Sequence, residues 1–275
     1  MTKIAYDTHL HTSYSTDSHT PLSAQLEQAV KLGLKGICVT DHMDYDFPPE
    51  TKDGEMIYPF VFHPEQYVSE IEACKSMYPS LDIGIGVECG LQTSDSVQRK
   101  NHALNTEYPW DYMIGSLHLV DGADPYNASY WEGQDADACV RRYFEQIYEN
   151  IRLFSEFDSL GHLDYVVRYA PAGYIYEPEK FFDIIDEILS FLIHEDKSLE
   201  LNTSGLKSAA RTQNPHLSIL KRYVALGGTF LTIGSDAHTP DGMAYDFDLV
   251  PDIIKKAGLH QYVTYHQRKP VFHDL

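Results

Sequence analysis

The sequence predicts an α/β fold built on a parallel β-sheet. Short apolar runs alternate with segments of helical periodicity along the chain, which is typical of repeated βα units. The main predicted strands also end in polar side chains, and in a parallel barrel such ends lie together on one face. At 275 residues the chain has a length at which α/β barrels form one core. We therefore expect a single domain over residues 1–275.

The predicted strands are short, and most lead directly into a polar residue. The first is the run Ile4-Ala5-Tyr6, which precedes Asp7. Six more main strands follow, and an eighth is predicted near Tyr262 to Tyr265. The six cover residues 36–40, 83–87, 112–117, 159–161, 198–201 and 229–233.

The predicted helices carry start and stop signals. Thr20-Pro21 begins the first helix, with proline at the first helical position, and Gly33 ends it. Pro215 opens a later helix that stops at Gly227-Gly228. The other predicted helices cover about 64–77, a segment through Val97 and Leu104, 135–154, a segment through Phe181 and Leu192, and 249–257.

Residues 43–63 are rich in proline and acidic side chains and have no regular period. We expect a long loop over the site. Aromatic residues in such a loop are more often packing groups, and a lid that stacks on a substrate ring is the alternative. Those residues are Tyr45, Phe47, Tyr58 and Phe60.

The charge balance limits the partners of this chain. The formal charge is −20, from 41 acidic and 21 basic residues, which argues against a surface that grips nucleic-acid phosphates. A small charged substrate or a cation fits better. No apolar run approaches the ~20 residues of a membrane span, and no basic region followed by an apolar one opens the chain. We expect a cytoplasmic protein without nucleic-acid or membrane partners, and its oligomeric state stays open.

His9 and His11 alternate at the end of the first predicted strand, so their side chains point the same way. Two adjacent imidazoles suit a divalent metal, because each brings a nitrogen that needs a partner. The alternative is a polar strand end with one satisfied histidine. Thiolate ligands are not indicated, because no C-x-x-C pair occurs among the cysteines. These are Cys38, Cys74, Cys89 and Cys139.

Ligand-type residues end each of the seven main predicted strands. Nitrogen and carboxylate ligands without thiolates suit zinc, iron or manganese. A glutamate can bridge two ions, and a multimetal site can clamp both the attacking and the leaving oxygen of a phosphate ester. Hydrolysis of a phosphate ester is therefore our interpretation. The strand-end residues are His9, His11, Asp41, His42, Glu88, His118, His162, Asp164, Asn202, Asp236 and His238.

Taken together, these motifs resemble those of the polymerase and histidinol phosphatase (PHP) family along the whole chain. The matching residues are Asp7-x-His9-x-His11, Thr40-Asp41-His42, Glu88, His118, Gly161-His162-x-Asp164 and Ser235-Asp236-Ala237-His238. The resemblance implies a distorted (β/α)7 TIM-like barrel, with three divalent ions (Zn, Mn or Fe) at the C-terminal ends of its strands.

The same resemblance implies a ligand set for each ion. The first ion would be held by His9, His11, Glu88 and Asp236, and the second by Glu88, His118 and His162. The third would be held by Asp17, His42 and His238. Several family members carry histidine where this chain has Asp17, so the third site departs from a common pattern. His19 is an alternative ligand, although a loop residue of this kind is more often exposed.

Within the family, the chain most resembles the monofunctional histidinol phosphate phosphatases. It shares their length, the segment from Asp164 to Tyr169, and the run from Glu200 to Leu206 followed by Pro215. The implied reaction is hydrolysis of L-histidinol phosphate to L-histidinol and phosphate, a step of histidine biosynthesis. The alternatives are a PHP phosphoesterase of nucleotides or short oligonucleotides, a phosphotyrosine phosphatase, and a non-catalytic metal-binding regulatory barrel.

The expected mechanism is in-line attack on phosphorus by a hydroxide that bridges two metals, and the resemblance implies that Glu88 bridges the first and second metals. Asp41 and Asp164 would either relay a proton to the leaving oxygen or fix the tautomers of neighbouring imidazoles. Basic residues after ligand-bearing strands are predicted to bind the phosphate, because arginine suits bidentate phosphate contacts. The predicted substrate-binding residues are Arg168, Arg211, Lys207 and Asn202.

The remaining histidines fall on predicted helices, at helix starts or in the tail. We expect them to face solvent without a role in the site. They are His63, His102, His194, His216, His260, His266 and His273.

Overall fold

The computed structural model describes residues 4–52, 55–208 and 211–275. Its strands are β1 (Tyr6–Asp7), β2 (Gly36–Val39), β3 (His42–Met43), β4 (Glu50–Lys52), β5 (Glu55–Ile57), β6 (Asp82–Gly90), β7 (Tyr112–Ser116), β8 (Ser159–Leu160), β9 (Ser198–Asn202), β10 (Leu231–Gly234), β11 (Gln261–His266) and β12 (Lys269–Asp274). Its α-helices are α1 (Leu22–Leu32), α2 (Pro64–Met77), α3 (Asp95–Glu107), α4 (Ala128–Trp131), α5 (Ala136–Leu153), α6 (Phe182–His194), α7 (Leu217–Ala225) and α8 (Val250–Ala257).

The main sheet is parallel and curls into a distorted barrel. Its strand order is β1-β2-β6-β7-β8-β9-β10, with β3 paired to the upper part of β6. The two edges meet just after β1, where the Thr8 N–H donates to Ile233 O (3.0 Å) and the Asp236 N–H donates to His9 O (2.8 Å). Because β1 and β8 have two residues and β6 has nine, the barrel is irregular. The predicted α/β barrel fold is confirmed.

The helices pack around this barrel through apolar faces. α1 follows Pro21 and ends at Gly33, whose φ of 68° is readily reached by a residue without a side chain. α5 is capped by Asp135, whose carboxylate accepts the Ala138 N–H (3.0 Å). Its buried side includes Phe144 and Ile147. Among the described residues, every helix is too short or too polar to span a lipid bilayer.

The antiparallel hairpin β11–β12 covers the barrel end opposite the C-terminal strand ends. Tyr265 OH lies 2.8 Å from Ser198 Oγ, and the Arg268 guanidinium donates to Asp158 (2.5 Å). Ser198 is the first residue of β9, and Asp158 immediately precedes β8. The strand predicted near Tyr262 to Tyr265 is present as β11. β12 was not predicted, because it is largely exposed and lacks the apolar signal of a buried strand.

The structure corrects three other predicted elements. Residues 43–63 contain the short hairpin β4–β5 rather than loop alone; residues 53 and 54 lie outside the described residues. α7 begins at Leu217 instead of Pro215, and His216 caps it by accepting the Ser218 N–H at Nδ1 (3.2 Å). The short helix α4 was not predicted.

Candidate metal centre

His9 and His11 follow β1 and are fully buried side by side. Their Nε2 atoms lie 3.1 Å apart. The Nδ1 atom on the other side of each ring has a hydrogen-bonding partner. His9 Nδ1 lies 2.6 Å from Glu200 Oε1, and His11 Nδ1 lies 3.0 Å from Ser15 Oγ. The two Nε2 atoms are thus directed at one point, as the alternation in the sequence predicts.

Glu88, near the end of β6, lies at the middle of the site and is fully buried. Its Oε1 atom lies 2.9 Å from His162 Nε2 and 3.3 Å from His118 Nε2. Its Oε2 atom lies 3.0 Å from His42 Nδ1 and 3.1 Å from His9 Nε2. Burial alone would raise the pKa of this carboxyl, but the surrounding imidazoles hold it well below its usual range. Glu88 is therefore a carboxylate whose two oxygens face two sets of histidines.

A stack of three imidazoles forms the outer side of the site. The His11 ring lies between His42 (centroids 4.3 Å apart) and His238 (4.1 Å). Asp17, whose side chain is 44% exposed, reaches His238 Nε2 at 3.1 Å and His42 Nε2 at 3.8 Å. Burial, together with His238 and His42, lowers the pKa of His11 to about 3, which keeps that imidazole neutral and able to donate a lone pair.

Asp236 completes the inner part of the site. Its Oδ1 atom lies 3.3 Å from His11 Nε2 and 3.8 Å from His9 Nε2. Its backbone has a φ of 54°, a left-handed conformation that is uncommon outside glycine but better tolerated by Asp and Asn. At Gly234 a Cβ atom would lie 2.3 Å from His9 Cβ, so only glycine allows this close approach.

Several of these atoms are buried without a hydrogen bond. Although Glu88 Oε2 and His42 Nδ1 lie 3.0 Å apart, neither has a hydrogen-bond partner of suitable geometry among the described residues. The same holds for Asp44 Oδ2 and His238 Nε2. Buried polar atoms are rarely left unpaired, and nitrogen and oxygen atoms that converge in this way fit a divalent cation.

The described residues contain four overlapping groups of three ligand atoms. Within each group the atoms lie within 4.8 Å of one another. The groups are His9-His11-Asp236, His9-Glu88-His162, His42-Asp44-His118 and His11-His42-His238. The structure thus brings together all nine predicted ligands, with Asp17 at the exposed edge. The ligand set of each ion stays a prediction. Asp44, which belongs to no predicted set, groups with His42 and His118. His11 belongs to two groups, one with His9 and Asp236 and one with His42 and His238.

Two carboxylates that hold the ligand rings were not predicted from the sequence. Glu200 on β9 contacts His9 Nδ1 and accepts the His162 N–H at 2.7 Å. Asp44 contacts His118 Nδ1 at 2.8 Å. Burial lowers the pKa of His118, but Asp44 and Glu88 outweigh it and raise that pKa to about 10. Both carboxylates could have been found by alternation, since Glu200 lies two residues before Asn202 and Asp44 two after His42.

Asp41 and Asp164 are buried beside the site rather than in it. Asp41 accepts hydrogen bonds from the N–H and hydroxyl groups of Thr12 and Ser15, at 2.7–3.0 Å. Ser15 Oγ in turn contacts His11 Nδ1. Asp164 accepts from Asn214 Nδ2 (2.6 Å) and from the N–H of residue 216 (2.8 Å). These contacts favour the orienting role over the proton relay.

A cavity of about 130 Å³ opens above these ligand-type side chains. Arg168 lines it, and the guanidinium donates to Ser204 Oγ (2.6 Å), while its Nε atom is buried without a partner among the described residues. A neighbouring cavity of about 420 Å³ is lined by Arg168 and Lys207. Phe47 and Phe60 of the predicted loop also lie in the wall of the first cavity.

Two of the predicted substrate-binding residues line neither cavity, and their contact with substrate stays a prediction. Arg211 is exposed and lines neither of these cavities. Asn202 also lines neither, because its amide donates to Glu200 Oε2 (3.2 Å) and accepts the Ser204 N–H (2.9 Å). Asn202 therefore holds Glu200 and Ser204 in place.

Most of the other histidines are exposed, as predicted, and so is His19. Two differ: His216 and His273 are half-buried. The His273 ring stacks on Tyr262 with centroids 4.9 Å apart, and its Nε2 atom lies 2.9 Å from Thr264 Oγ1. Packing at the capped start of α7 and inside the β11–β12 hairpin explains both cases.

Comparison with known proteins places this arrangement in a family. The model of the PHP domain matches residues 7–204. The chain belongs to the PHP domain family. The extent of one domain over all 275 residues stays a prediction.

Relatives of this PHP chain match it over nearly their whole length. It is 35% identical over 276 residues to a Clostridium acetobutylicum protein named "Probable histidinol-phosphatase" (98% of this chain, 97% of that one). It is 28% identical to the "Histidinol-phosphatase" of Lactococcus lactis (98% and 96%). The crystal structure of L. lactis histidinol phosphate phosphatase, complexed with zinc, L-histidinol and phosphate, superposes with a TM-score of 0.87 at 27% identity (98% and 99%).

Proposed function

We propose that this PHP chain is a metal-dependent phosphomonoesterase that hydrolyses L-histidinol phosphate to L-histidinol and phosphate. The observation that carries this proposal is the convergence of eight other ligand-type side chains on Glu88, beneath a cavity that is also lined by a partly unpaired arginine. The near full-length similarity to histidinol phosphatases from two organisms supports the substrate. The same similarity supports zinc as one suitable ion.

We further propose three divalent ions, arranged as the family resemblance implies. The donor set fits them, because imidazole nitrogens and carboxylate oxygens suit Zn, Mn or Fe. When bound, such ions polarise phosphate oxygens and lower the pKa of water.

The remaining steps belong to side chains of this chain. Glu88 directs one oxygen to each half of the site, and Glu200 and Asp44 fix the rings of His9 and His118. The Arg168 guanidinium can donate hydrogen bonds to the phosphate, because Ser204 orients this group and its Nε atom is buried without a partner among the described residues. A phosphate between this arginine and the ions that the histidines would hold would have its negative charge balanced from both sides.

The experiment that tests the substrate compares phosphate release from four compounds by the Mn- or Zn-loaded protein. The compounds are L-histidinol phosphate, a nucleoside monophosphate, a short oligonucleotide and phosphotyrosine. We expect kcat/KM to favour L-histidinol phosphate by several orders of magnitude. Comparable, slow hydrolysis of all four would contradict the histidinol phosphate assignment and retain only the phosphoesterase class.

A further inference from the structure

The cavity above the ligand cluster contains one aspartate that the site leaves unpaired. Four aspartates line this cavity. Asp17, Asp44 and Asp236 each lie within 3.3 Å of an imidazole nitrogen of the site. The Asp124 carboxylate instead accepts, among the described residues, only the backbone N–H of Tyr126 (2.8 Å). Among the side chains that the structure describes, no lysine, arginine or histidine forms an ion pair with it.

This carboxylate is half-buried, and burial raises its pKa above the usual range. Desolvation without a cationic partner disfavours the ionised form, so a cation that entered the cavity would gain a strong contact there. Asp124, His118 and Asp44 line the same cavity, so the carboxylate lies beside the ligand cluster. A small ligand could therefore contact both.

Groups of both charges line the first cavity, Asp124 and Arg168 among them. Arg168 also lines the neighbouring cavity, with Lys207 and Asp236, and Asp124 does not line that one. A ligand with an anionic group toward Arg168 and a cationic group toward Asp124 would match these charges.

An aromatic wall extends from the ligand cluster to Asp124. The Tyr165 ring lies 4.9 Å from His162 and 5.1 Å from Tyr169, and Tyr169 in turn contacts Tyr126 edge to face at 5.3 Å. Tyr126 is 68% exposed, which is high for a large aromatic side chain. A flat ring carried by the substrate could pack along this wall.

From this geometry we propose that Asp124 binds the cationic amine of the substrate and makes the enzyme specific for phosphate esters of amino alcohols. The inference rests on the proposed function, in which the amine and the phosphate ester are on adjacent carbons of L-histidinol phosphate. The phosphate lies at the ligand cluster with Arg168, the amine meets Asp124, and the imidazole packs against the Tyr165-Tyr169-Tyr126 wall.

The test compares L-histidinol phosphate with its analogue without the amine, 3-(imidazol-4-yl)propyl phosphate, in the metal-loaded protein. Asp124→Asn keeps an oxygen that can accept the Tyr126 N–H but removes the charge. We expect it to lower kcat/KM for L-histidinol phosphate by ~10–100-fold, the range of a hydrogen bond to a charged group. For the analogue we expect kcat/KM to change less than about twofold, because it has no amine for Asp124 to bind.

Two controls separate this role from others. Asp248→Asn makes the same charge change at an exposed position and should leave both substrates unaffected. Asp124→Glu should restore part of the preference for the amine. Equal losses on both substrates in Asp124→Asn, or no loss on either, would overturn the assignment of Asp124. If the wild-type protein hydrolyses the two compounds equally while Asp124→Asn is unchanged, Asp124 is again excluded. If the wild type hydrolyses neither compound, the proposed function fails as well.

Discussion

His9 Nδ1 lies 2.6 Å from Glu200 Oε1, and both side chains are completely buried. The contact fixes the His9 ring so that its Nε2 atom is free to bind on the side of Glu88. A second oxygen of Glu200 accepts the His162 N–H. One carboxylate that contacts no substrate thus positions histidines from two different strands.

Glu200→Gln is predicted to weaken metal binding without unfolding the barrel. Glutamine keeps the size of the side chain but replaces an acceptor carboxylate with a neutral amide, so the His9 tautomer is no longer enforced. Loss of such a supporting contact typically costs ~10–100-fold in metal affinity or activity. Metal titration of the chelator-treated protein measures it. The exposed Glu27→Gln variant is the matched control, and equal affinities for the two variants would remove Glu200 from the site.

Glu88→Gln is predicted to abolish turnover and to lower the metal content per chain. The two oxygens of Glu88 face separate pairs of histidines, and an amide nitrogen at either place cannot donate a lone pair. Metal analysis and phosphate release measure the two effects, and circular dichroism checks that the barrel remains folded. Wild-type activity in this variant would exclude a bridging role for Glu88.

Arg168→Met is predicted to lower kcat/KM for all phosphate monoesters alike, by ~10–100-fold for the loss of charged hydrogen bonds. Arg211→Met is the matched control, because Arg211 is exposed and lines neither cavity described above. We expect it to keep wild-type kinetics. A larger loss from Arg211→Met than from Arg168→Met would mean that the chain closes over the substrate in another way than this structure shows.

Removing the His273 side chain is predicted to change how stability depends on pH. Burial and the nearby Lys35 lower the pKa of His273 in the folded state below 6.5. The unfolded chain therefore takes up the proton first, and the stability contributed by neutral His273 is lost as the pH falls below about 6.5 toward the folded pKa. Between pH 7.5 and 5, the free energy of unfolding should fall less in His273→Phe than in the wild type.

Denaturant titrations of the wild type and His273→Phe at pH 7.5 and pH 5 measure the free energy of unfolding of each protein. Contributions of other titrating groups are the same in both proteins and cancel in the comparison. An NMR titration of the imidazole checks its cause. A pKa of His273 at or above 6.5 in the folded protein would contradict the prediction.

The parts of the fold that could be predicted are those with local signals. Pro21 and Gly33 mark the ends of α1, and alternation places His9 and His11 on one face of the chain. The ligands that end different strands could be predicted to converge because parallel strands share one direction. Their convergence on Glu88 follows from topology rather than from any single motif.

The parts that could not be predicted depend on distant contacts. β12 pairs with β11 while remaining exposed, so its residues carry no buried pattern. Arg168 and Arg211 look alike in sequence, and only the fold shows that Ser204 orients one while the other faces solvent. The role of Glu200 depends on two backbone segments that come together only in the closed barrel.

The measurement that tests the central claim most directly is phosphate release from L-histidinol phosphate by the chelator-stripped protein as metal is added back. We predict no turnover before addition and a rise in kcat that follows the number of ions bound per chain, up to the three proposed. Full activity in the stripped protein, or bound metal without any phosphate release, would contradict a metal-dependent histidinol phosphate phosphatase.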